Sequence, residues 1–241
     1  MRVTGPLFKW FGSKWNASKK YPAPLQGSEI KEPFAGGAGY SLRHSENRVW
    51  IAESNPLVHE LWKWIIEEAD QAAVLDIPLD IPEKTDVRTL GLSRGQQLLL
   101  KHWQRTNNVG NCWTVSPWGN KPGQWTANTR SRVAEEIYAV KHWKLFSDGF
   151  ALMNQGGHAT WFVDPPYQFN YDYKIPILDY EALSNCVRSL EGRVIVCEAI
   201  CPKTGARPAW LPFVDFARTV TSRRKKEENH HSNELLYTMD T

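Results

Sequence analysis

"SEIKEPFAGGAGYSL", residues 28–42, decides how the chain is read. Residues 28–34 read as a short strand that Pro33 ends, because proline lacks an N–H and holds the residue before it extended. Ala35 to Gly39 form a glycine turn, and a helix is expected to follow. Such a turn lets a ligand approach the backbone and meet the free N–H groups of a helix start. The spacing is not a clean GxGxxG, and a plain tight turn fits it as well. A second strand is expected over RVWIAE, residues 48–53, ending in Glu53, seventeen residues after Gly36. In nucleotide-binding α/β folds an acid there grips ribose hydroxyls; a surface carboxylate at a strand end is the alternative. Together the loop and the acid point to an adenosine-containing ligand at the strand C-termini. No GKS or GKT P-loop is present and a carboxylic acid stands in the approach, which points to a ligand without phosphates.

The rest of the chain sets this unit in a larger sheet. Asn55 caps a helix and Pro56 takes its first position. Val58, Leu61, Trp62, Ile65, Ile66 and Ala69 follow at helical spacing as one apolar stripe. Residues 74–92 are polar and proline-punctuated, 93–105 read as a helix, and 106–130 hold Asn, Gly, Pro and Trp with no period. Long aperiodic loops inside domains are usually functional. A helix is expected over 131–146, a strand over 160–164, a helix capped by Asp179 through 190, and a strand over 193–199. VDFARTVTS and ELLYTM read as two more strands, separated by RRKKEENHHSN. Strands and helices alternate at both ends, and the middle is helical and irregular, so an α/β sheet domain carrying an insertion is expected.

Hydrophobic content of 41% against 23% charged residues marks a globular chain rather than a disordered one. A net charge of +3 permits a nucleic-acid partner without arguing for one. Cys112, Cys186, Cys197 and Cys201 form no paired CxxC set, so zinc is not expected, nor any other metal. The opening MRVTGPLFKW has no long apolar run; neither a signal peptide nor a membrane span is expected, and a reducing, cytoplasmic compartment fits.

VDPPYQF, residues 163–169, ends the strand over 160–164. Its prolines freeze the backbone and point an acid and a ring outward. Asp164 and the carbonyl of Pro165 can each accept a hydrogen bond from an amino group, and Tyr167 offers a flat face for a base. Two acceptors holding the hydrogens of an exocyclic amino group favour a pyramidal nitrogen with an exposed lone pair, ready to attack a methyl donor. A proline-rich turn with a capping Asp is the alternative.

Three motifs in this order resemble the S-adenosylmethionine-dependent DNA adenine methyltransferases of the Dam-like, alpha-order family. FKWFGSK, residues 8–14, resembles the family's KWxGxK segment; EPFAGGAG resembles its glycine motif and DPPY its catalytic motif. NELLYT resembles the family's last strand. IAESNP resembles the acidic motif, with Glu53 where the family has Asp. The resemblance implies a Rossmann-like methyltransferase sheet, α/β in class, built from residues 1–69 and 151–241, with a small helical target-recognition domain inserted at 70–150. It implies S-adenosylmethionine held by Trp10, Phe11, Lys14, Pro33, Phe34, Gly36, Gly37, Ala38, Gly39, Glu53 and Asp164. It implies catalysis by Asp164, Pro165, Pro166 and Tyr167 on a flipped-out adenine, since an amino group inside the stack is out of reach. A monomer or weak dimer is expected.

DNA is the expected partner. Residues 101–132 mix Lys101, Arg105, Lys121, Arg130 and Arg132 with Trp113, Trp118 and Trp125. Basic groups interleaved with aromatics suit phosphate contacts plus stacking, although a solvated loop with a few buried tryptophans has the same pattern. Arg223, Arg224, Lys225 and Lys226 form a second basic cluster at an expected hairpin tip, either a phosphate clamp or a solvated face. His230 and His231 have no metal partners at ligand spacing. The rival readings are methyl transfer to RNA adenine or to a protein amide, and a DNA-binding relative that has lost transfer.

Overall fold

The computed structural model describes residues 2–104, 112–169, 179–201, 203–216 and 234–241. The sheet is built from β1 (Ile30–Glu32), β2 (Val49–Ala52), β3 (Lys144–Phe146), β4 (Ala159–Val163), β5 (Gly192–Ala199), β6 (Val214–Asp215) and β7 (Glu234–Asp240). Among the described residues the strand order is β3-β2-β1-β4-β5-β7-β6. The strands β1 to β5 pair parallel. β7 runs antiparallel to both β5 and β6. This is the expected α/β class with a Rossmann-like sheet, doubly wound with one reversed strand. Its direction of winding switches between β1 and β4, and ligands of doubly wound sheets bind beyond the strand C-termini at that point. The glycine loop leaves β1 there and the DPPY segment leaves β4.

The central strands are buried almost throughout, as in a sheet covered on both faces, and successive side chains alternate between two cores. Ile30, Ile51, Phe162, Ile195 and Leu236 share one core. Ala52, Trp161, Val163, Val194, Val196 and Leu235 share the other. The first face is covered by α1 (Gly39–Arg43), α2 (Pro56–Lys63), α4 (Arg94–Trp103) and α5 (Ala127–Glu136), the second by α6 (Gly149–Met153) and α7 (Tyr180–Arg188). Tyr40 of α1 stacks on Phe162 of β4 with ring centroids 4.5 Å apart.

Local chemistry sets the helix starts. The Asn55 side chain accepts from Leu57 N and Pro56 occupies the first helical position, as the sequence predicts. Asp179 caps α7 through Ala182 N. Ser93 and Gln96 form a reciprocal capping box on α4. A short helix, α3 (Gln71–Leu75), is capped by Asp70.

The helix expected over 131–146 is corrected. α5 begins at Ala127 and ends at Glu136, a single 3₁₀ turn follows, and Lys144–Phe146 form strand β3 beside β2. Three residues carry no readable period, so the strand was hidden behind a helical pattern. β3 lies inside the range 70–150 expected for the insertion, yet it belongs to the sheet. Four of the five tryptophans of that range, Trp103, Trp113, Trp125 and Trp143, are buried in the same core as Ile30 and Ile51.

Candidate active site

The site is a cleft of about 130 Å³ at the C-terminal edge of the sheet, open to solvent. Trp10, Phe11, Lys14, Pro33, Phe34, Gly36, Gly39, Glu53, Asp164 and Pro166 all line it. Three segments far apart in sequence are therefore brought to one place.

The N-terminal segment lies across the glycine loop. Gly36 has φ 49°, and a Cβ there would sit 2.5 Å from the Trp10 ring. At Gly39 a Cβ would meet Trp15 N at 2.3 Å. Glycine is needed at both positions because another part of the chain presses against them. Gly37 faces Trp10 and Ser13 rather than the cleft, and Ala38 is wholly buried with φ 47°. These two of the expected cofactor residues shape the loop and do not line the cavity.

Glu53 is held by backbone at both oxygens. Its Oε2 accepts from Gly36 N at 2.8 Å and its Oε1 from Asn55 N at 2.7 Å. Its own N–H donates to the carbonyl of Phe146, so the unforeseen strand β3 helps set it. Burial raises its carboxyl, with those N–H groups pulling the other way. Each oxygen keeps acceptor capacity, since a carboxylate has about four lone-pair sites.

Lys14 joins the N-terminal segment to DPPY. Its ammonium donates to Asp164 Oδ2 at 2.7 Å and to the Gly12 carbonyl at 3.2 Å. It lies 3.8 Å from Glu234 Oε1 and 5.0 Å from the centroid of the Tyr167 ring. Burial acts to lower its pKa, but Asp164 and Glu234 outweigh that and the net direction is up. Asp164 Oδ1 is buried and, among the described residues, has no hydrogen-bond partner. Buried acceptors are rarely left unpaired, so this oxygen is an open valence at the cleft.

The DPPY segment is pinned from behind. Tyr180 Oη donates to the Pro166 carbonyl at 2.6 Å. Gln168 N donates to Glu198 Oε2 at 3.2 Å, and Trp210 Nε1 donates to the same oxygen at 3.1 Å. Pro165 is buried, and Tyr167 is half-buried beneath Lys14, packed against the first core rather than lining the cleft.

Sequence reasoning gave no role to Glu198, Glu234 and Tyr21, and read Glu32 only as the acid that opens the glycine motif. Glu32 is buried and accepts from Ser41 N at 3.1 Å, tying β1 to α1. Burial pushes its carboxyl up to about 8 and that of Glu198 up to about 7. Glu234 takes the Tyr21 hydroxyl at 2.7 Å. The available signal was a lone acid at the head or tail of an apolar strand, visible in IKE, VCEA and NELL.

The expected DNA contacts are scattered. Trp118 is 61% exposed and Lys121, also exposed, closes the same turn. Trp125 is corrected: it is 1% exposed, and its indole N–H donates to the Pro78 carbonyl, so its ring is core and offers no stacking face. Arg130 donates to the Ile77 carbonyl, and Arg132 pairs with Glu136 and donates to the Pro6 carbonyl. Arg105, Arg223, Arg224, Lys225 and Lys226 lie outside the described residues. Among the described residues, no cluster of three or more His, Cys, Asp or Glu could hold a metal ion, and no helix is long and apolar enough to cross a membrane.

No protein-family model and no curated protein matches this sequence. Among solved structures, a conserved hypothetical protein of Streptococcus pyogenes aligns over 89% of this chain and 87% of its own, at 12% identity and a TM-score of 0.38. A candidate methylase of Haemophilus influenzae aligns over 99% of this chain and 97% of its own, at 12% identity and a TM-score of 0.39.

Proposed function

We propose that this protein is an S-adenosylmethionine-dependent methyltransferase that modifies the 6-amino group of adenine in DNA. The observation that carries the reading is the meeting of Lys14, the glycine loop and Asp164 in one cleft at the β1/β4 switch, with Asp164 Oδ1 buried and unpaired among the described residues.

The residues present fit the cofactor. Glu53 supplies carboxylate acceptors for ribose hydroxyls, the glycine loop permits close approach, and Asp164 and Lys14 offer opposite charges to an amino-acid moiety. When bound, the cofactor supplies an activated methyl group. Lys14 holds Asp164 Oδ2, which leaves Oδ1 to accept from the adenine amino group. The Pro165 carbonyl is the second acceptor, fixed by the two prolines, and Tyr167 contributes its ring to the base. Holding both amino hydrogens exposes the nitrogen lone pair; the rest is orientation and electrostatic preorganisation. Residues 1–69 and 151–241 with β3 form the catalytic domain, and the helical segment from 70 up to β3 is the target-recognition insertion. Exposed Trp118 and Lys121 are its best-placed contacts with DNA.

The test is methyl transfer from radiolabelled S-adenosylmethionine to unmethylated genomic DNA, followed by nucleoside analysis. Label in 6-methyladenine supports the reading. Label found only in RNA or protein transfers the activity to that substrate, and cofactor binding with no transfer to any of them identifies a DNA-binding relative without catalysis.

A further inference from the structure

Tyr167 is held by groups that lie outside the DPPY motif. We infer that Glu234, at the head of the reversed strand β7, is a positioning residue that sets the ring of Tyr167, and that Tyr21 fixes Glu234 in turn. The inference rests on the proposed role of Tyr167 as the platform for the base.

One carboxylate oxygen, Glu234 Oε1, collects three neighbours. Tyr21 Oη donates to it at 2.7 Å, Tyr167 Oη at 3.4 Å, and Lys14 Nζ lies 3.8 Å away. Tyr21 is itself packed: its ring stacks on Phe162 of β4 at 5.6 Å and meets Phe216 edge-on at 5.3 Å. Two tyrosines therefore donate to the same carboxylate oxygen, the anchored Tyr21 through the short bond and Tyr167 of the site through the long one. Lys14 lies 5.0 Å from the centroid of the Tyr167 ring, and Glu198 holds the next backbone N–H, at Gln168. The ring is thereby constrained at its face, its tip and its backbone. Glu234 is 9% exposed, and β7 brings it beside Tyr167 and Lys14 by pairing with β5 in the register Ala199↔Glu234. A burial role alone would call for no acid here, since burying a carboxylate is costly unless it is paired.

The test uses Glu234→Gln, which keeps the shape and an acceptor, and Tyr21→Phe, which keeps the ring. In protein labelled with ¹³Cζ-tyrosine, the Tyr167 resonance, assigned by Tyr167→Phe, is expected to shift in both variants. Methyl transfer is expected to show kcat reduced about ten- to a hundredfold, as for a misplaced reacting group, with the Kd for S-adenosylmethionine changed less than about twofold. An unmoved Tyr167 resonance in folded Glu234→Gln overturns the inference. So does a loss of cofactor affinity as large as the loss in kcat/KM, which would make Glu234 part of the cofactor site. If the wild-type chain transfers no methyl group to DNA, the proposed function fails, while the resonance still decides whether Glu234 sets Tyr167.

Discussion

At the rim of the sheet, Trp10 and Lys14 face a cleft and meet groups from distant parts of the chain. In the middle of the chain, Trp103, Trp113 and Trp125 also sit among lysines and arginines in the sequence, yet all three are buried in the core. The same residue types serve a site in one region and packing in the other. At the rim the backbone has little freedom: two prolines follow Asp164, and Gly36 and Ala38 have positive φ. Side-chain direction is then settled locally. The middle also has prolines and positive φ, at Asp80, Lys84, Gly91 and Gly123, but burial decides where its tryptophans go. A tryptophan can remove roughly 150–250 Å² from water, far more than a surface contact returns. Interleaved basic and aromatic residues thus say little about which ring reaches the surface.

Four outcomes would break or sharpen this contrast. The largest is expected from Asp164→Ala, which should lower methyl transfer by about 10³-fold, as for loss of a preorganised electrostatic group, while DNA binding measured by fluorescence anisotropy persists. A retained rate would remove the rim from catalysis. Next, Trp125→Ala should lower the unfolding free energy by about 3–5 kcal/mol, read by denaturant titration, because it empties a large buried site. A loss below 1 kcal/mol would return Trp125 to the surface and erase the difference between the regions.

A smaller effect is expected at Glu32, where the rim buries an acid. Its carboxyl is pushed up to about 8 in the folded protein from an ordinary 4.5, chiefly by burial. The unfolded chain therefore releases this proton first, and folding stability falls as pH rises between those values. Glu32→Gln removes that dependence. Its Tm should approach wild type near pH 4.5 and exceed it near pH 8 by at least about 2–4 °C, the shift that 1 kcal/mol produces in a chain of this size. A Tm gap that does not change with pH would mean that Glu32 is not neutral in the folded state. The smallest stability effect is expected from Trp118→Ala, within about 0.5 kcal/mol as for most surface changes. DNA affinity should nevertheless fall, by about 1–3 kcal/mol if a base stacks there. Unchanged affinity would leave the middle region with no demonstrated contact.

The sequence by itself determined the strand–glycine–helix unit, the caps at Asn55 and Asp179 and the strand before DPPY. Each depends on neighbours in the chain: a proline's fixed φ, a glycine's freedom, a side chain reaching a backbone N–H two or three residues away. The strand β3, the burial of Trp125 and the arrival of Glu234 beside Tyr167 were decided only by tertiary structure. β3 is three residues long and exists because β2 offers it a parallel edge. Trp125 is core because Trp103 packs against it, 6.4 Å between ring centroids, from a helix more than twenty residues away. Glu234 reaches the site because β7 reverses and pairs with β5 in one register. Contacts between segments far apart in sequence leave no local pattern, and the energy that selects them is the burial and pairing of the whole sheet.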